Sequence, residues 1–509
     1  MSILPTVRTP TVAEILEIAA DFGMSLSPED AESFQGLIGG VVPSYAHCDE
    51  LAEPTLPVKY PRTSGYRPGP EENKYNAWYW KCEVKGKKRG ALAGKTLALK
   101  DNICLAGVPL MNGSRIIEGY VPEVDATVVT RILDAGGTIL GKAACEDLCL
   151  SGGSHTSALG MIKNPRKPTH SAGGSSGGSA VLVARGEVDM SLGGDQGGSI
   201  RIPACYSGVY GLKPTHGLVP YTGIFPIETT LDHTGPMANN VEDVAQLLQV
   251  IAGSDGLDPR QIGVKMQNYM KSLNKGARGL KIAVVKEGFG RPESQQVVDR
   301  KVRAAAEKLK SKGAKVKQVS IPMHIDGAHI WNLIAIQGLH QMMVKLNGFG
   351  MNWEGHYVTS FADAYAQGWR SRPDDFSETT KLCILLGEFL DRNYHTHYYA
   401  KGQNLSRALR AAYDAVLEDY DLLLMPTLPI QATKLPKPDC SREEYVSRAL
   451  EMIGNTSPFD CSGHPAINVP CGMNNGLPIG MMLVGRRYDD ATVLRGARAF
   501  EKTGNWMKM

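Results

Sequence analysis

The sequence predicts an α/β protein whose core is a mixed, largely parallel β-sheet covered by helices. From residue 92 onwards, short apolar runs typical of strands alternate with amphipathic helical segments, the order expected of βαβ units. Residues 1–89 instead show helical spacing followed by prolines, and residues 321–400 interrupt the alternation. These observations predict a helical N-terminal segment and linker (1–89), a core in two parts (90–320 and 401–509) and an inserted smaller lobe (321–400).

The N-terminal segment begins with apolar residues at helical spacing. Val12, Ile15 and Phe22 recur on one face, and Ser27-Pro28 provides a second helix start. Five prolines between residues 54 and 76 then indicate a stiff, extended connector. Short helices are marginal in isolation, so this segment predicts a contact between two copies of the chain in a homodimer.

The core elements follow one another in a regular order. A strand pair at 92–100 that ends in Lys100 precedes a helix at 126–137 and a strand at 138–142. The later segments are, in chain order, helix 178–187, strand 188–194, strand 279–289, helix 297–312, strand 315–321, helix 403–417, and strands 421–426, 466–470 and 480–485. The intervening lobe is rich in His, Trp, Tyr and Met, and we expect it to lie over the site.

Composition limits the classes of function. The 509 residues carry a formal net charge of +3, so no basic surface for nucleic acid or an anionic membrane is indicated. No run of about 18 apolar residues occurs, so no transmembrane helix is expected. The ten cysteines include no CxxC pair, which argues against a zinc or redox motif. Free thiols are typical of a reducing compartment, here the cytoplasm.

Two glycine–serine loops and one lysine carry the chemistry. Residues 173–179 read GGSSGGS, and Ser199 follows two glycines in a second loop, with a helix and a strand between the loops. A serine on a glycine turn can be surrounded by backbone N–H groups that stabilise an oxyanion. Lys100 ends an apolar strand, and a lysine serves as a base only when burial keeps it neutral. The pattern indicates nucleophilic acyl chemistry.

These segments together resemble the amidase signature family. The resemblance rests on LALKDN, AGGSSGGSA and GGDQGGSIRIPA…GLKPT, and on the spacings of 75 residues from Lys100 to Ser175 and 24 from Ser175 to Ser199. It extends from about residue 90 to GHPAINVP and GLPIGMMLVG near the C-terminus. The resemblance implies the amidase-signature fold and a triad in which Ser199 is the nucleophile, Ser175 follows a cis peptide bond and Lys100 is the base.

The resemblance also implies supporting groups around the triad. The oxyanion hole would consist of backbone N–H groups of the second loop, those of Gln196, Gly197, Gly198 and Ser199. Three side chains would support the hydroxyl network and brace the loop, namely Ser176, Asp195 and Arg201. The reaction implied by the resemblance needs no metal and no organic cofactor.

The variant DQGGS, with Gln196 where threonine is usual, and the helical N-terminal segment resemble the broad-specificity amidases associated with nitrile metabolism. This implies hydrolysis of small aliphatic or aryl carboxamides to carboxylic acid and ammonia. Cys145 and Trp331 are candidate residues of the substrate pocket. Two alternatives stay open. A carbamate such as a urethane presents the same planar carbonyl–nitrogen unit, and family relatives serve as the amide-hydrolysing subunit of a transfer-RNA amidotransferase.

Other motifs are weaker. The segment GGSSG satisfies the G-x-S-x-G pattern of α/β-hydrolases, but polar, proline-containing residues precede it where that pattern needs a strand. His395 and His397 have no acidic or cysteine ligand at a fixed spacing, so we do not expect them to bind a metal.

Overall fold

The computed structural model describes residues 7–509, so residues 1–6 of the predicted N-terminal segment lie outside the described part. The chain divides into two units, one ending at Leu56 and the other running from Pro57 to Met509. The boundary therefore falls inside the predicted linker, and residues 57–89 belong to the second unit.

In residues 7–56, the described part of the first unit, there are two helices, α1 (Val12–Asp21) and α2 (Pro28–Asp49). Both begin at a capping box, in which a hydroxyl and a carboxylate three residues later each accept a backbone N–H of the other residue. The capping pairs are Thr11 with Glu14, and Ser27 with Asp30. The second helix start in the sequence is thus the N-terminus of α2.

The second unit contains one mixed sheet. Its strands are β1 (Trp78–Lys85), β2 (Thr96–Lys100), β3 (Thr138–Ala143), β4 (Met190–Asp195), β5 (Tyr210–Lys213), β6 (His233–Ala238), β7 (Lys281–Val285), β8 (Lys315–Val319), β9 (Leu422–Pro426), β10 (Ala466–Asn474) and β11 (Leu477–Val484). Within the described residues, these eleven strands have the order β1-β3-β2-β4-β6-β5-β10-β11-β9-β7-β8. The sheet is mixed, as predicted, but the strand pair predicted at 92–100 is the single strand β2. Its parallel pairs cluster around β2 and β7, and the pairs between them are antiparallel.

Helices cover both faces of this sheet. The α-helices of the second unit are α3 (Thr127–Asp134), α4 (Gly177–Arg185), α5 (Arg201–Ser207), α6 (Val241–Ile251), α7 (Gln296–Ser311), α8 (Met323–Leu339), α9 (Thr359–Ser371), α10 (Glu378–Tyr394), α11 (His397–Asp419), α12 (Arg442–Leu450), α13 (Pro458–Ser462) and α14 (Asp490–Glu501). Successive strand residues point to opposite faces. Accordingly, Leu97 and Leu99 of β2 pack in the core that includes α3, α6, α7 and α14, whereas Ala98 packs in a second core with α4 and α5.

The region predicted as an inserted lobe is helical, with α8, α9, α10 and a π-helical turn at His340–Lys345. A buried carboxylate in the loop after β3 connects this helical region to the sheet through hydrogen bonds. Oδ2 of Asp147 accepts hydrogen bonds from the N–H of Ser377 (3.0 Å) and the hydroxyl of Thr380 (2.7 Å), at the start of α10. Across residues 7–509, each helix is too short or too polar to span a lipid bilayer.

Candidate active site

The candidate site lies where β2 and β4 end side by side. The two strands are parallel neighbours, with Leu99 opposite Leu192. Parallel strands bring their carboxyl ends to the same edge of a sheet, where α/β proteins commonly bind ligands. Lys100 at the end of β2 therefore meets the loop that follows Asp195 at the end of β4.

The first glycine–serine loop packs against this edge. The peptide bond between Gly174 and Ser175 is cis. Nζ of Lys100 lies 2.7 Å from Oγ of Ser175 and 3.3 Å from the carbonyl oxygen of Gly194, and both side chains are fully buried. The hydroxyl of Ser176 donates to the Gly194 carbonyl and accepts from the Gly194 N–H, each at 3.1 Å. Strand β4 thus anchors both the lysine amine and the first loop.

The carboxylate of Asp195 organises the second loop, which carries Ser199. Its Oδ1 accepts the N–H of Gly198 at 2.6 Å, and its Oδ2 accepts the N–H of Ile200 at 3.0 Å. Gly198 has a φ of 136°, a conformation that favours glycine, and a Cβ there would lie 2.4 Å from Oγ1 of Thr456. The N–H of Gly198, which the family resemblance places among the oxyanion donors, is thus already bound to Asp195.

Three other amides of this loop have no acceptor among the described residues, those of Gln196, Gly197 and Ser199. Side chains from elsewhere fix the peptide planes between them. The indole N–H of Trp331 donates to the carbonyl of Gln196, and the hydroxyl of Thr456 donates to the carbonyl of Gly197, each at 2.6 Å. Because the C=O and N–H of a trans peptide point in opposite directions, each bond also sets the direction of the following N–H.

Arg201 lies fully buried between two carboxylates. Its guanidinium donates to both oxygens of Asp195, at 3.0 and 2.9 Å, and to Oδ2 of Asp460 at 2.8 Å. Burial alone would raise the pKa of Asp195, but Arg201 holds this pKa well below its usual value. Burial and the neighbouring Asp195 raise the pKa of Asp460. The predicted bracing pair of Asp195 and Arg201 is thus part of a larger network, and no sequence motif pointed to Asp460.

A cavity of about 90 Å³ opens beside the two loops. Ser199 and Trp331 line it, whereas Lys100 and Ser175 do not. Among the described lining residues, none carries a formally charged group. The apolar lining residues are Leu150, Ile202, Ile227, Leu231, Ala335, Ile336, Leu339, Leu382, Leu450 and Ile453.

Of the two predicted pocket residues, Trp331 lines the cavity and Cys145 does not. Cys145 is buried outside the cavity wall, with its thiol 3.5 Å from Oδ1 of Asn112. Cys149 lines the cavity instead. In the sequence, Cys149 lies four residues after Cys145, so the two thiols could be expected close together. This spacing does not indicate which of the two thiols faces the cavity.

The described residues include one group that could hold a metal ion, formed by His340, Glu388 and Asp391, whose ligand atoms lie within 4.8 Å of one another. Glu388 is already paired with Lys345 and Arg392, each at 2.7 Å. Because these cations already balance the carboxylates, we assign no metal to the group.

The buried network predicts a large stability difference between two arginine substitutions. Arg201→Met leaves Asp195 and Asp460 buried without their cation, and we expect it to lower the free energy of unfolding by roughly 3–5 kcal/mol. The control Arg392→Met removes an exposed ion pair with Glu388 and should cost less than about 1 kcal/mol. Urea unfolding followed by circular dichroism measures both, and equal losses would contradict the role assigned to Arg201.

Known proteins resemble this chain over most of its length. A family model described as Amidase matches residues 69–494. The enantioselective amidase of Rhodococcus rhodochrous is 43% identical over 508 residues, which cover 99% of this chain and 98% of that protein.

Solved structures agree with this match. A glutamyl-tRNA(Gln) amidotransferase subunit from Thermotoga maritima is 32% identical, with a TM-score of 0.69 over 83% of this chain and 85% of that one. A bacterial aryl acylamidase of the amidase signature family is 26% identical, with a TM-score of 0.69 over 82% of this chain and 84% of that one. The chain therefore belongs to the amidase signature family and is an amide-hydrolysing enzyme.

Proposed function

We propose that the protein hydrolyses small carboxamides with an apolar aliphatic or aryl acyl group, releasing the carboxylic acid and ammonia. The main support for this proposal is the arrangement of three side chains from the cavity towards the protein interior. Ser199 lines the cavity, while Ser175 is fully buried with its Oγ 2.7 Å from Nζ of Lys100. The N–H of Ser176 donates to the carbonyl of Ser199 at 3.2 Å, which holds the two loops together. A reachable hydroxyl, a buried relay and a buried base are the parts that a serine nucleophile requires.

The proposed reaction moves protons along this line of residues. Oγ of Ser199 attacks the carbonyl carbon, its proton passes to Oγ of Ser175, and the proton of Ser175 passes to the amine of Lys100. The lysine ammonium then returns a proton through Ser175 to the leaving nitrogen, and the carbon–nitrogen bond breaks. Water uses the same path to hydrolyse the acyl-enzyme and restore Ser199.

The negative oxygen of the tetrahedral intermediate needs preorganised donors. We assign this role to the N–H groups of Gln196, Gly197 and Ser199, which have no acceptor among the described residues. The N–H of Gly198 is left out because it is bound to Asp195.

The cavity lining supports an uncharged, apolar substrate. Its apolar wall and its lack of charged residues, among those described, offer no partner for the ammonium and carboxylate of free glutamine. The relatives include one enantioselective amidase and one aryl acylamidase, whose names fit such a substrate. Carbamate hydrolysis is the alternative with the same carbonyl chemistry. The likeness to one component of an amidotransferase keeps a partner-dependent glutaminase as the second alternative, but the apolar wall favours the amidase.

The cellular location is proposed from the thiols. All ten cysteines lie in the described residues and are free. Free thiols in this number are typical of a reducing compartment, so we place the protein in the cytoplasm.

The first test is ammonia release from benzamide, phenylacetamide, propionamide, glutamine and ethyl carbamate by the purified chain. We expect turnover of the apolar amides and little of glutamine. Ser199→Ala, Ser175→Ala and Lys100→Ala should each lose roughly 10³-fold or more in kcat, because the triad acts as a unit. Ser151→Ala, at another serine of the cavity wall, is the control and should stay within about tenfold of wild type. Turnover of glutamine alone, or triad variants as active as wild type, would contradict the proposal.

The contact of Trp331 with the second loop predicts an effect on rate rather than on binding. Trp331→Phe keeps a ring beside Gly197 but removes the donor to Gln196. We expect kcat to fall by roughly tenfold for every acyl group, with little change in KM, because a misplaced peptide weakens the oxyanion hole. The control Ile336→Val changes the cavity wall alone and should alter KM in a manner that depends on the acyl group. A Trp331→Phe variant with altered KM and unchanged kcat would show that Trp331 acts only as a wall.

We further propose that the protein is a homodimer that forms through α2. Exposed apolar side chains recur on one face of this helix, at Phe34, Leu37, Val41 and Tyr45. An exposed apolar stripe of this kind marks an interaction surface, and a second copy offers the same stripe across a two-fold axis.

Sedimentation velocity of the full chain at micromolar concentration tests this interface. Wild type is expected to sediment as a dimer, and the double variant Leu37→Glu/Val41→Glu as a monomer. Glu32→Lys, on the opposite face of α2, is the control and should leave the dimer intact. A wild-type monomer, or a dimer that survives both glutamates, would exclude this interface.

A further inference from the structure

A second nucleophile faces the proposed triad. The Cys149 thiol lines the same cavity as Ser199 and faces Lys100 and Ser175 from the loop after β3. The backbone of this loop is unusual, since Leu148 and Cys149 both have positive φ values, 45° and 65°. Non-glycine residues rarely adopt this conformation, and such residues cluster at functional sites. The turn directs the thiol of Cys149 towards the space between the cavity and Lys100.

A second thiol, that of Cys145, lies next to Cys149. Oδ1 of Asn112 accepts hydrogen bonds from both Cys149 (3.1 Å) and Cys145 (3.5 Å), and the two thiols also interact with each other. Both cysteines are buried, but only Cys149 of the two reaches the cavity. The arrangement therefore places a reachable thiol in front of a second, enclosed one.

The two thiols also differ in their readiness to ionise. Burial raises the pKa of Cys149, but Cys145 and the charge of Lys100 outweigh burial and bring this pKa to about 7. Burial raises the pKa of Cys145 well above its usual value. A thiolate is the form that attacks an oxidant, and the neighbouring thiol resolves the product by giving up its proton as its sulfur attacks.

We propose that Cys149 and Cys145 are a peroxide-sensitive pair whose oxidation to a disulfide reversibly switches off the enzyme. The effect on catalysis rests on the proposed function, in which Lys100 is the base. Oxidation removes the thiol that faces Lys100 and Ser175 and pulls the loop at 148–149 towards Cys145. The proton path from Ser199 to Lys100 is thereby disturbed.

The oxidant is hydrogen peroxide, which is small enough to enter the cavity. Sulfur of Cys149 attacks one peroxide oxygen, the oxygen–oxygen bond breaks, and the leaving hydroxide takes the former thiol proton to give water. This leaves Cys149 as a sulfenic acid. Sulfur of Cys145 then bonds to sulfur of Cys149, the sulfur–oxygen bond breaks, and the hydroxyl leaves as a second water with the Cys145 proton. The two thiols are oxidised by two electrons and the peroxide is reduced.

Hydrogen peroxide treatment of the reduced, purified full chain tests the proposal. We expect amide hydrolysis to fall by at least roughly tenfold and to return with dithiothreitol. Peptide mass mapping should show the segment with both cysteines lighter by two hydrogen atoms. Cys149→Ser should keep its own untreated activity after peroxide. Cys145→Ala should be inhibited without forming the internal disulfide. Cys383→Ala, which removes another thiol of the same cavity wall, should respond as wild type does.

The mass measurement separates this inference from the proposed function. If the disulfide forms but no amide is hydrolysed even before oxidation, the thiol pair stands and the proposed function fails. If wild type and Cys149→Ser lose activity equally, or if inhibited wild type contains no bond between Cys145 and Cys149, the redox pair is overturned.

Discussion

The buried ion pair between Asp195 and Arg201 is the interaction on which the rest of the site depends. The carboxylate that faces Arg201 also accepts the amides of Gly198 and Ile200, so one pair joins the end of β4, the second loop and the start of α5. Buried charges are costly unless they are paired and hydrogen-bonded. The loop that carries Ser199 therefore takes a shape that satisfies Asp195, and the three remaining amides are left for a ligand as a consequence.

The cavity combines two parts of the chain that are far apart in sequence. The loops belong to the core around β2 and β4, while much of the apolar wall comes from α8 and α10. Trp331 of α8 joins these parts, because its N–H orients the carbonyl of Gln196 and its ring packs so closely on Gly197 that a Cβ there would lie 2.9 Å away. The wall that would select the acyl group and the loop that would stabilise the oxyanion are consequently coupled through one side chain.

The sequence predicts the elements and the spacing of the reactive residues better than the direction of individual groups. Apolar periodicity locates eight of the eleven described strands but not β1, β5 or β6. Three motifs in order single out Lys100, Ser175 and Ser199. Whether an amide such as that of Gly198 faces a ligand depends on tertiary distances that no motif records. Likewise, the turn at Leu148 decides which cysteine enters the cavity, and Asp460 reaches Arg201 across 259 residues.

The fully buried lysines differ in their partners, and this difference supports the proposal that Lys100 is the base. Lys142 is paired with Asp101 at 3.0 Å. Lys213, whose pKa burial lowers to about 8, keeps the favourable charge of Asp460 nearby. Lys100 has a hydroxyl and a carbonyl as its hydrogen-bond partners, with no carboxylate in contact among the described residues. The ionisable group that does face it is the thiol of Cys149. The charge state of this cysteine therefore bears directly on the lysine that is proposed as the base.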